Sequence, residues 1–242
     1  MPRHTRRHSN SNTSPLRILF EDNHLLGVFK PAGMLVQGDR TGDVTLIDLA
    51  KAYLKEKYRK PGNVYLGLVH RLDRPVSGVM LYARTSKAAS RLVKEFRSRR
   101  VEKRYFAVVV GRVREKEGEL VSYVERAPKM SRIASPSSAK AKEAVLTYRV
   151  LARRGGLSLL EISPSTGRHH QIRVQLADFG FPIVGDVKYG ADEALSDRTI
   201  ALHGGVLVVK HPTRDALVRL AAPPPVSFPW NKFGSTIEAR FE

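Results

Sequence analysis

The feature that most constrains this fold is a succession of short segments rich in Val, Ile, Leu and aromatic residues, each bounded by turn residues. Short segments of this composition are typical of β-strands. Many follow one another after only a few residues, which favours antiparallel pairing because parallel strands need long crossover connections. We predict strands over residues 16–20, 24–29, 64–69, 79–83, 103–110, 119–124, 144–152, 157–162, 200–209 and 216–220. Residues 125–142, which are basic and contain Ser, Pro and Ala, are predicted to form a loop.

Helical spacing of apolar residues is confined to a few segments, which we predict to be helices over residues 43–58, 86–99 and 166–179. Asp43 or Thr45 is the predicted cap of the first helix, and Ser86 of the second. Thr166 and Gly167 suit the start of the third.

Strands therefore outnumber helices, and we predict an α+β fold with a mixed, mainly antiparallel β-sheet and flanking helices and loops. Residues 1–14 are rich in Arg, His, Ser and Asn, which predicts a disordered basic tail. No break in composition divides the remainder, so residues 15–242 are predicted to form one domain. The prolines at 223–225 are predicted to mark the end of its compact body.

Positive charge dominates the composition, with 42 Lys and Arg against 23 Asp and Glu, a formal net charge of +19. Such an excess favours a polyanionic partner, and nucleic acid is the first candidate. Residues 84–104 and 126–142 are two basic stretches that predict a binding surface; the alternative is a solvated face. Cysteine is absent, which excludes disulfides, thiolate catalysis and cysteine-bound metals. No apolar run is long enough to span a membrane, and we predict a soluble, cytoplasmic protein.

The most unusual segment is LVHRLDRPVSG at residues 68–78, in which a predicted strand leads into a loop. Asp73 lies between Arg71 and Arg74 in this loop, and their positive field favours the carboxylate. An ionised Asp there suits a nucleophile or an anionic stabiliser better than a general acid. The alternative is an Asp–Arg turn at the surface.

A second segment, SPSTGRHHQIRVQL at residues 163–176, predicts that Arg168, His169 and His170 lie in the first turn of a helix and bind phosphate there. Arg173 would lie about one turn further on, placed to pair with a buried carboxylate. A solvated basic helix is the alternative. Tyr105 opens a predicted strand, where it is either a packing residue or, if it faces Asp73, a carrier of protons.

The sequence gives little support for a metal site, a glycine-rich phosphate loop or a serine hydrolase. His169 and His170 are adjacent, so they cannot both face one ion from a helix, and H-E-x-x-H is absent. Glycine-rich phosphate loops and the G-x-S-x-G nucleophile elbow are also absent. We therefore expect no metal.

The stretch VHRLDRPVSGVMLYA at residues 69–83 resembles the signature of the RluA-type pseudouridine synthases, in which HRLD precedes a Thr/Ser-Ser/Thr-Gly group. Four further stretches resemble segments of that family in the same order: FKPAG at 29–33, TGRHHQIRVQL at 166–176, FPIVGDVKYG at 181–190 and LHGGVLVVKHP at 202–212. Five matches in order make the resemblance specific.

This resemblance implies conversion of uridine to pseudouridine within RNA, without a cofactor. Asp73 matches the family's nucleophile, Tyr105 its second catalytic position and Arg173 the partner of the aspartate. The side chains that the resemblance assigns to substrate binding are His70, Arg71, Arg168, Gln171 and Ile172, with Ile172 packed on the uracil.

Three positions depart from the family pattern: Val76 replaces a hydroxyl residue, Phe29 an Asn and Gly204 an Ala. None of them removes a catalytic position. We expect a stand-alone catalytic domain without the S4 RNA-binding domain of many relatives. We also expect a monomer that acts on rRNA or tRNA without an obligate protein partner. The alternatives are an inactive RNA-binding module of the same fold, and a nuclease or N-glycosidase that uses Asp73.

Overall fold

The computed structural model describes residues 16–241, so the predicted basic tail lies outside the described residues. Eleven strands in this part of the chain form one sheet. They are β1 Ile18–Glu21, β2 Leu25–Lys30, β3 Gly67–Leu68, β4 Ser77–Ala83, β5 Glu102–Val110, β6 Glu117–Arg126, β7 Ser131–Ile133, β8 Lys142–Arg154, β9 Leu157–Pro164, β10 Leu202–Lys210 and β11 Leu217–Ala221.

The strand order is β1-β2-β4-β10-β5-β9-β8-β6-β7, with β3 paired to β4 and β11 to β10. Every neighbouring pair is antiparallel except β10 and β4, which run parallel. Together with four α-helices, this confirms the predicted α+β class and the mixed, mainly antiparallel sheet. The helices are α1 Leu46–Lys57, α2 Ser86–Arg97, α3 Gln171–Asp178 and α4 Gly234–Glu238. No helix within residues 16–241 has the length and apolar character needed to cross a membrane.

A threonine side chain caps the N-terminus of each of the first two helices. Thr45 begins α1 with a capping box, because its hydroxyl accepts from the backbone of Asp48 and the Asp48 carboxylate reaches back. Thr85 caps α2 by accepting from the Ala88 backbone N–H, so the prediction of Ser86 as the cap was wrong by one residue.

The third predicted helix is shorter than the apolar spacing indicated. Helix α3 begins at Gln171 rather than Thr166, and His170 before it has a left-handed backbone with φ of 54°. The Thr166 hydroxyl accepts from the backbone N–H of Val145 and donates to the Gln171 side chain. These contacts hold residues 166–170 as an irregular loop against β8, so the prediction that Arg168, His169 and His170 occupy a first helical turn was wrong.

Three further expectations need correction. Only Gly67 and Leu68 of the predicted strand over 64–69 pair with the sheet. The predicted loop over 125–142 contains strand β7, which pairs with β6. The chain also continues past the prolines at 223–225 into the core, because Trp230 and Phe233 are buried there.

At the centre of the sheet, β4 and β10 approach closely beside the loop that carries Asp73. A Cβ on Gly78, whose φ is 144°, would lie 2.4 Å from the Gly204 carbonyl oxygen, so a side chain there has no room. The Ser77 hydroxyl lies 2.8 Å from Nδ1 of the buried His203 on the facing strand. This contact joins the end of the Asp73 loop to the middle of the sheet.

Candidate active site

The loop between β3 and β4 carries Asp73, and the side chain of a buried lysine hydrogen-bonds to the backbone of this loop. The Nζ atom of Lys30 donates to the carbonyl oxygens of Pro31, Arg74 and Val76 at 3.1, 3.1 and 2.6 Å. Lys30 is fully buried, and burial lowers the pKa of its ammonium to about 7. Lys30 is not among the predicted site residues, although the matched FKPAG stretch contains it.

His70 anchors the start of the same loop. Its Nε2 atom accepts from the backbone N–H of Leu81 at 2.9 Å, and its ring stacks on Phe96 of α2 with centroids 5.1 Å apart. Burial lowers the pKa of His70 to about 4, so the ring is neutral near pH 7. His70 lines the cleft described below, and its contacts hold the loop in place.

Asp73 and Arg173 meet at the site, together with a second carboxylate. Nη1 of Arg173 donates to Oδ2 of Asp73 at 3.2 Å, while Nε and Nη2 donate to both oxygens of Asp186 at 2.7 and 2.8 Å. The Asp186 side chain is 1% exposed and that of Asp73 is 31% exposed. Arg173 thus pairs with a buried carboxylate as predicted, and Asp186 is that group. The more exposed Asp73 remains open to the cleft.

The carboxylates of Asp186 and Asp73 stabilise the charged form of Arg173. Burial opposes the charged form, but the hydrogen bonds and negative charge of Asp186 and Asp73 outweigh it and raise the pKa of Arg173. The guanidinium also lies over the ring of Tyr189, 4.9 Å from its centroid. Arg173 is therefore a permanent cation fixed beside Asp73.

A small cavity of about 140 Å³ brings Asp73 together with the other two predicted catalytic residues and with several predicted substrate-binding residues. Tyr105 on β5 and Ile172 on α3 line it with Asp73 and Arg173. Burial, and then the Asp73 charge, raise the pKa of Tyr105 to about 12, so its phenol stays protonated at neutral pH.

Gln171 and Arg168 shape the loop before α3. Oε1 of the buried Gln171 accepts from the Thr166 hydroxyl and the Arg168 backbone N–H, and its Nε2 donates to the Val145 carbonyl. The Arg168 Nε donates to the Glu143 carbonyl oxygen. The side chain of Gln171 thus hydrogen-bonds to other groups of the protein, whereas Arg168 also lines the cleft.

The site faces a basic cleft of about 1320 Å³. Cationic side chains from the α2–β5 segment, from the β6–β8 segment and from the loops before β4 and α3 line it: Arg71, Arg97, Arg99, Lys103, Arg126, Lys140, Lys142 and Arg168. Several belong to the two basic stretches of the sequence, which the fold brings to one cleft together with Asp73. This arrangement can hold the phosphates of a polyanion near the accessible carboxylate of Asp73.

Sequence comparison places the chain among known proteins. The sequence model of the RNA pseudouridylate synthase family matches residues 24–178. The ribosomal large subunit pseudouridine synthase D of Xylella fastidiosa is 39% identical over 225 residues, covering 87% of this chain and 66% of the relative. The uncharacterized RNA pseudouridine synthase YlyB of Bacillus subtilis is 35% identical over 213 residues, covering 87% of this chain and 69% of the relative.

Solved structures agree with the sequence relatives. Human RNA pseudouridylate synthase domain containing 4 superposes with a TM-score of 0.73 at 26% identity, covering 93% of this chain and 92% of that one. The chain spans about two thirds of the length of the first two relatives, 66% and 69%. The family match, the relatives and the shared fold confirm the resemblance drawn from the motifs: this chain belongs to the RNA pseudouridylate synthase family.

Proposed function

We propose that this chain isomerises uridine to pseudouridine in large-subunit ribosomal RNA. The N1–C1′ bond of the uridine breaks and a C5–C1′ bond forms, while C5 loses a proton and N1 gains one. Atoms and charge balance within the nucleotide, so the proposed reaction needs no oxidant, reductant or co-substrate. The observation that carries this proposal is an accessible carboxylate, Asp73, paired with a buried arginine beside a basic cleft.

Departure of uracil leaves positive charge on the sugar, as in glycoside cleavage, and an anion placed near C1′ stabilises it. In our proposal Asp73 supplies this anion, either as the nucleophile or through a glycal route. Arg173 keeps the carboxylate oriented, because two of its nitrogens are already fixed on Asp186. Tyr105 and Ile172 line the small cavity with Asp73 and contact the base in this proposal.

The cleft supplies the binding energy that the reaction requires. A uridine within folded RNA must be flipped out of its stack, which costs on the order of a few kcal/mol. Contacts between the lining cations and phosphates can offset that cost. In this proposal Arg71 and Arg168 contact the RNA, while His70 and Gln171 act by holding the two loops that border the cleft.

Large-subunit rRNA is the proposed target because the Xylella fastidiosa, Xanthomonas campestris and Nitrosomonas europaea relatives are all named ribosomal large subunit pseudouridine synthase D. We further propose that residues 15–242 act as a single catalytic domain, as a monomer, in the cytoplasm. The continuous eleven-stranded sheet supports the single domain.

The decisive test is tritium release from RNA transcribed with 5-³H-uridine, because only exchange at C5 liberates the label. We expect release from large-subunit rRNA and none from a tRNA mixture. Release from tRNA alone would move the target to tRNA. Strand cleavage without release would instead favour a nuclease, release of free uracil an N-glycosidase, and binding without any reaction the inactive module.

Removing cleft charge is expected to weaken RNA binding more than catalysis. Arg97 and Arg126 are exposed and both line the cleft, so in this proposal the double variant Arg97→Gln/Arg126→Gln loses two phosphate contacts. The slope of log affinity against log salt should fall by about 1 to 2, with affinity reduced roughly tenfold. The rate at saturating enzyme should change less than twofold.

The control for that variant is Lys55→Gln/Lys60→Gln, which removes two exposed charges that lie outside the cleft. Filter binding at several salt concentrations checks both. Equal salt slopes in the two double variants would contradict a phosphate-binding role for the cleft.

Tyr105→Phe is expected to lower the rate of tritium release about a hundredfold, the range typical of a lost proton carrier, with RNA affinity retained. Because the pKa of Tyr105 is about 12, the wild-type rate should show no loss from its ionisation up to about pH 10. Single-turnover assays from pH 6 to 10 check both statements. A Tyr105→Phe variant with wild-type rates would leave Tyr105 as a packing residue.

A further inference from the structure

His170 lies between strand β7 and Asp73, and the mechanism proposed above gives it no role. The ring of His170 stacks on that of His169 with centroids 3.8 Å apart. Its Nδ1 atom lies 2.7 Å from the Tyr189 hydroxyl, and its Nε2 atom lies 3.5 Å from Oδ2 of Asp73. The Tyr189 hydroxyl also accepts from the backbone N–H of Ser131 at 2.7 Å.

These contacts indicate which nitrogen of the His170 imidazole, Nδ1 or Nε2, carries the proton. The Tyr189 oxygen already accepts from Ser131, and among the described residues its own O–H finds an acceptor in Nδ1 of His170. A neutral ring that accepts at Nδ1 carries its proton on Nε2. The opposite tautomer would leave the Tyr189 proton without this acceptor and turn a lone pair toward the Asp73 carboxylate.

Burial and the neighbouring cations favour the neutral form of the His170 ring. Burial lowers the pKa of His170 to about 4 against the opposing effect of the Asp73 charge. Its position is also constrained, because the stacked His169 is held by the Ser131 hydroxyl, which donates to the His169 carbonyl oxygen at 2.6 Å.

We propose that His170, as the Nε2–H tautomer imposed by Tyr189, is a positioning residue for Asp73. Its Nε2 atom lies 3.5 Å from Oδ2 of the carboxylate, and Nη1 of Arg173 donates to the same oxygen at 3.2 Å. Two donors on one oxygen set the rotation of the carboxylate and turn Oδ1 toward the nucleotide. The separation from Nε2 is long for a hydrogen bond, and contacts of this kind shorten when substrate fills a site.

This inference rests on the proposed role of Asp73, and two substitutions isolate the Nε2–H group. Asn at position 170 tolerates the left-handed backbone and can still contact Tyr189, but it has no donor at the Nε2 position. Gln reaches about as far as imidazole and restores an N–H near Asp73. We expect His170→Asn to lower the single-turnover rate of tritium release about tenfold, with RNA affinity within twofold of wild type. His170→Gln should recover most of that loss.

The readouts separate positioning from packing. Equal rates for His170→Asn and wild type would overturn the proposal, as would a His170→Gln rate no better than that of His170→Asn, or a matching loss of RNA affinity. The probe is large-subunit rRNA labelled with 5-³H-uridine, and wild type and Asp73→Asn are measured beside the variants. Tritium release by wild type but not by Asp73→Asn shows that the proposed function stands whatever the His170 variants do.

A second measurement needs no activity. Long-range ¹H–¹⁵N correlation spectra of the imidazoles in the full chain report which nitrogen of His170 is protonated. We expect protonation at Nε2 in wild type and a mixture of tautomers in Tyr189→Phe, which lacks the hydroxyl proton. Protonation of wild-type His170 at Nδ1, or an unchanged single tautomer in Tyr189→Phe, would overturn the inference even if the chain modified no RNA.

Discussion

Asp73→Asn is expected to abolish tritium release, lowering the single-turnover rate on the order of 10⁴-fold or more. The amide has nearly the same shape but no negative charge, so it can neither attack C1′ nor stabilise positive charge on the ribose. The side chain is 31% exposed and its substitution leaves the Arg173–Asp186 pair in place, so the fold should be retained.

The control is Asp215→Asn, which removes an exposed carboxylate paired only with Lys210 at the surface. It should leave the rate unchanged. RNA affinity should stay within a fewfold for both variants, as measured by filter binding. Substantial tritium release by Asp73→Asn would show that another group performs the chemistry.

Arg173→Ala is expected to damage both stability and turnover. It leaves Asp186, whose side chain is 1% exposed, as an unpaired buried carboxylate, and breaking such a pair typically costs about 3–5 kcal/mol. It also removes the cation that orients Asp73, so the rate should fall on the order of 10²-fold or more while RNA affinity changes little.

A double variant separates the two effects. Arg173→Gln/Asp186→Asn removes both buried charges and leaves groups that can still hydrogen-bond, so it should be more stable than Arg173→Ala in thermal unfolding. Its rate should remain as low as that of the single variant, because Asp73 still lacks its cation. Recovery of activity together with stability would mean that Arg173 serves the fold alone.

The position of the loop around Asp73 could be predicted from the sequence, because the residues that define this loop are close together in the chain. A strand before it, an apolar strand after it and a Pro-containing loop between them depend on residues close in the chain. The HRLD motif therefore located the loop and its carboxylate correctly. What local sequence did not reveal is that Lys30, far away in sequence, holds this loop through the carbonyl groups of Arg74 and Val76.

The segment before α3 shows where periodicity misleads. Apolar spacing predicts a helix from Thr166, yet the side chains of Thr166 and Gln171 bond to the backbone of β8 and hold an irregular loop. Such side-chain contacts compete with helix formation, and no pattern within the segment reveals them. The loop places His170 beside Asp73, a contact that a helix starting at Thr166 did not predict.

The sequence by itself determined the class of fold, the family and the positive charge that favours a polyanionic partner, since these depend on strand-forming segments, ordered motifs and net charge. Only the tertiary structure decided which groups meet at the site. Asp186 is the partner of Arg173 and the Tyr189 hydroxyl contacts His170, because pairing of distant strands and packing of α3 bring these side chains within hydrogen-bonding distance. A carboxylate's partners follow from distances in space, and spacing along the chain does not encode them.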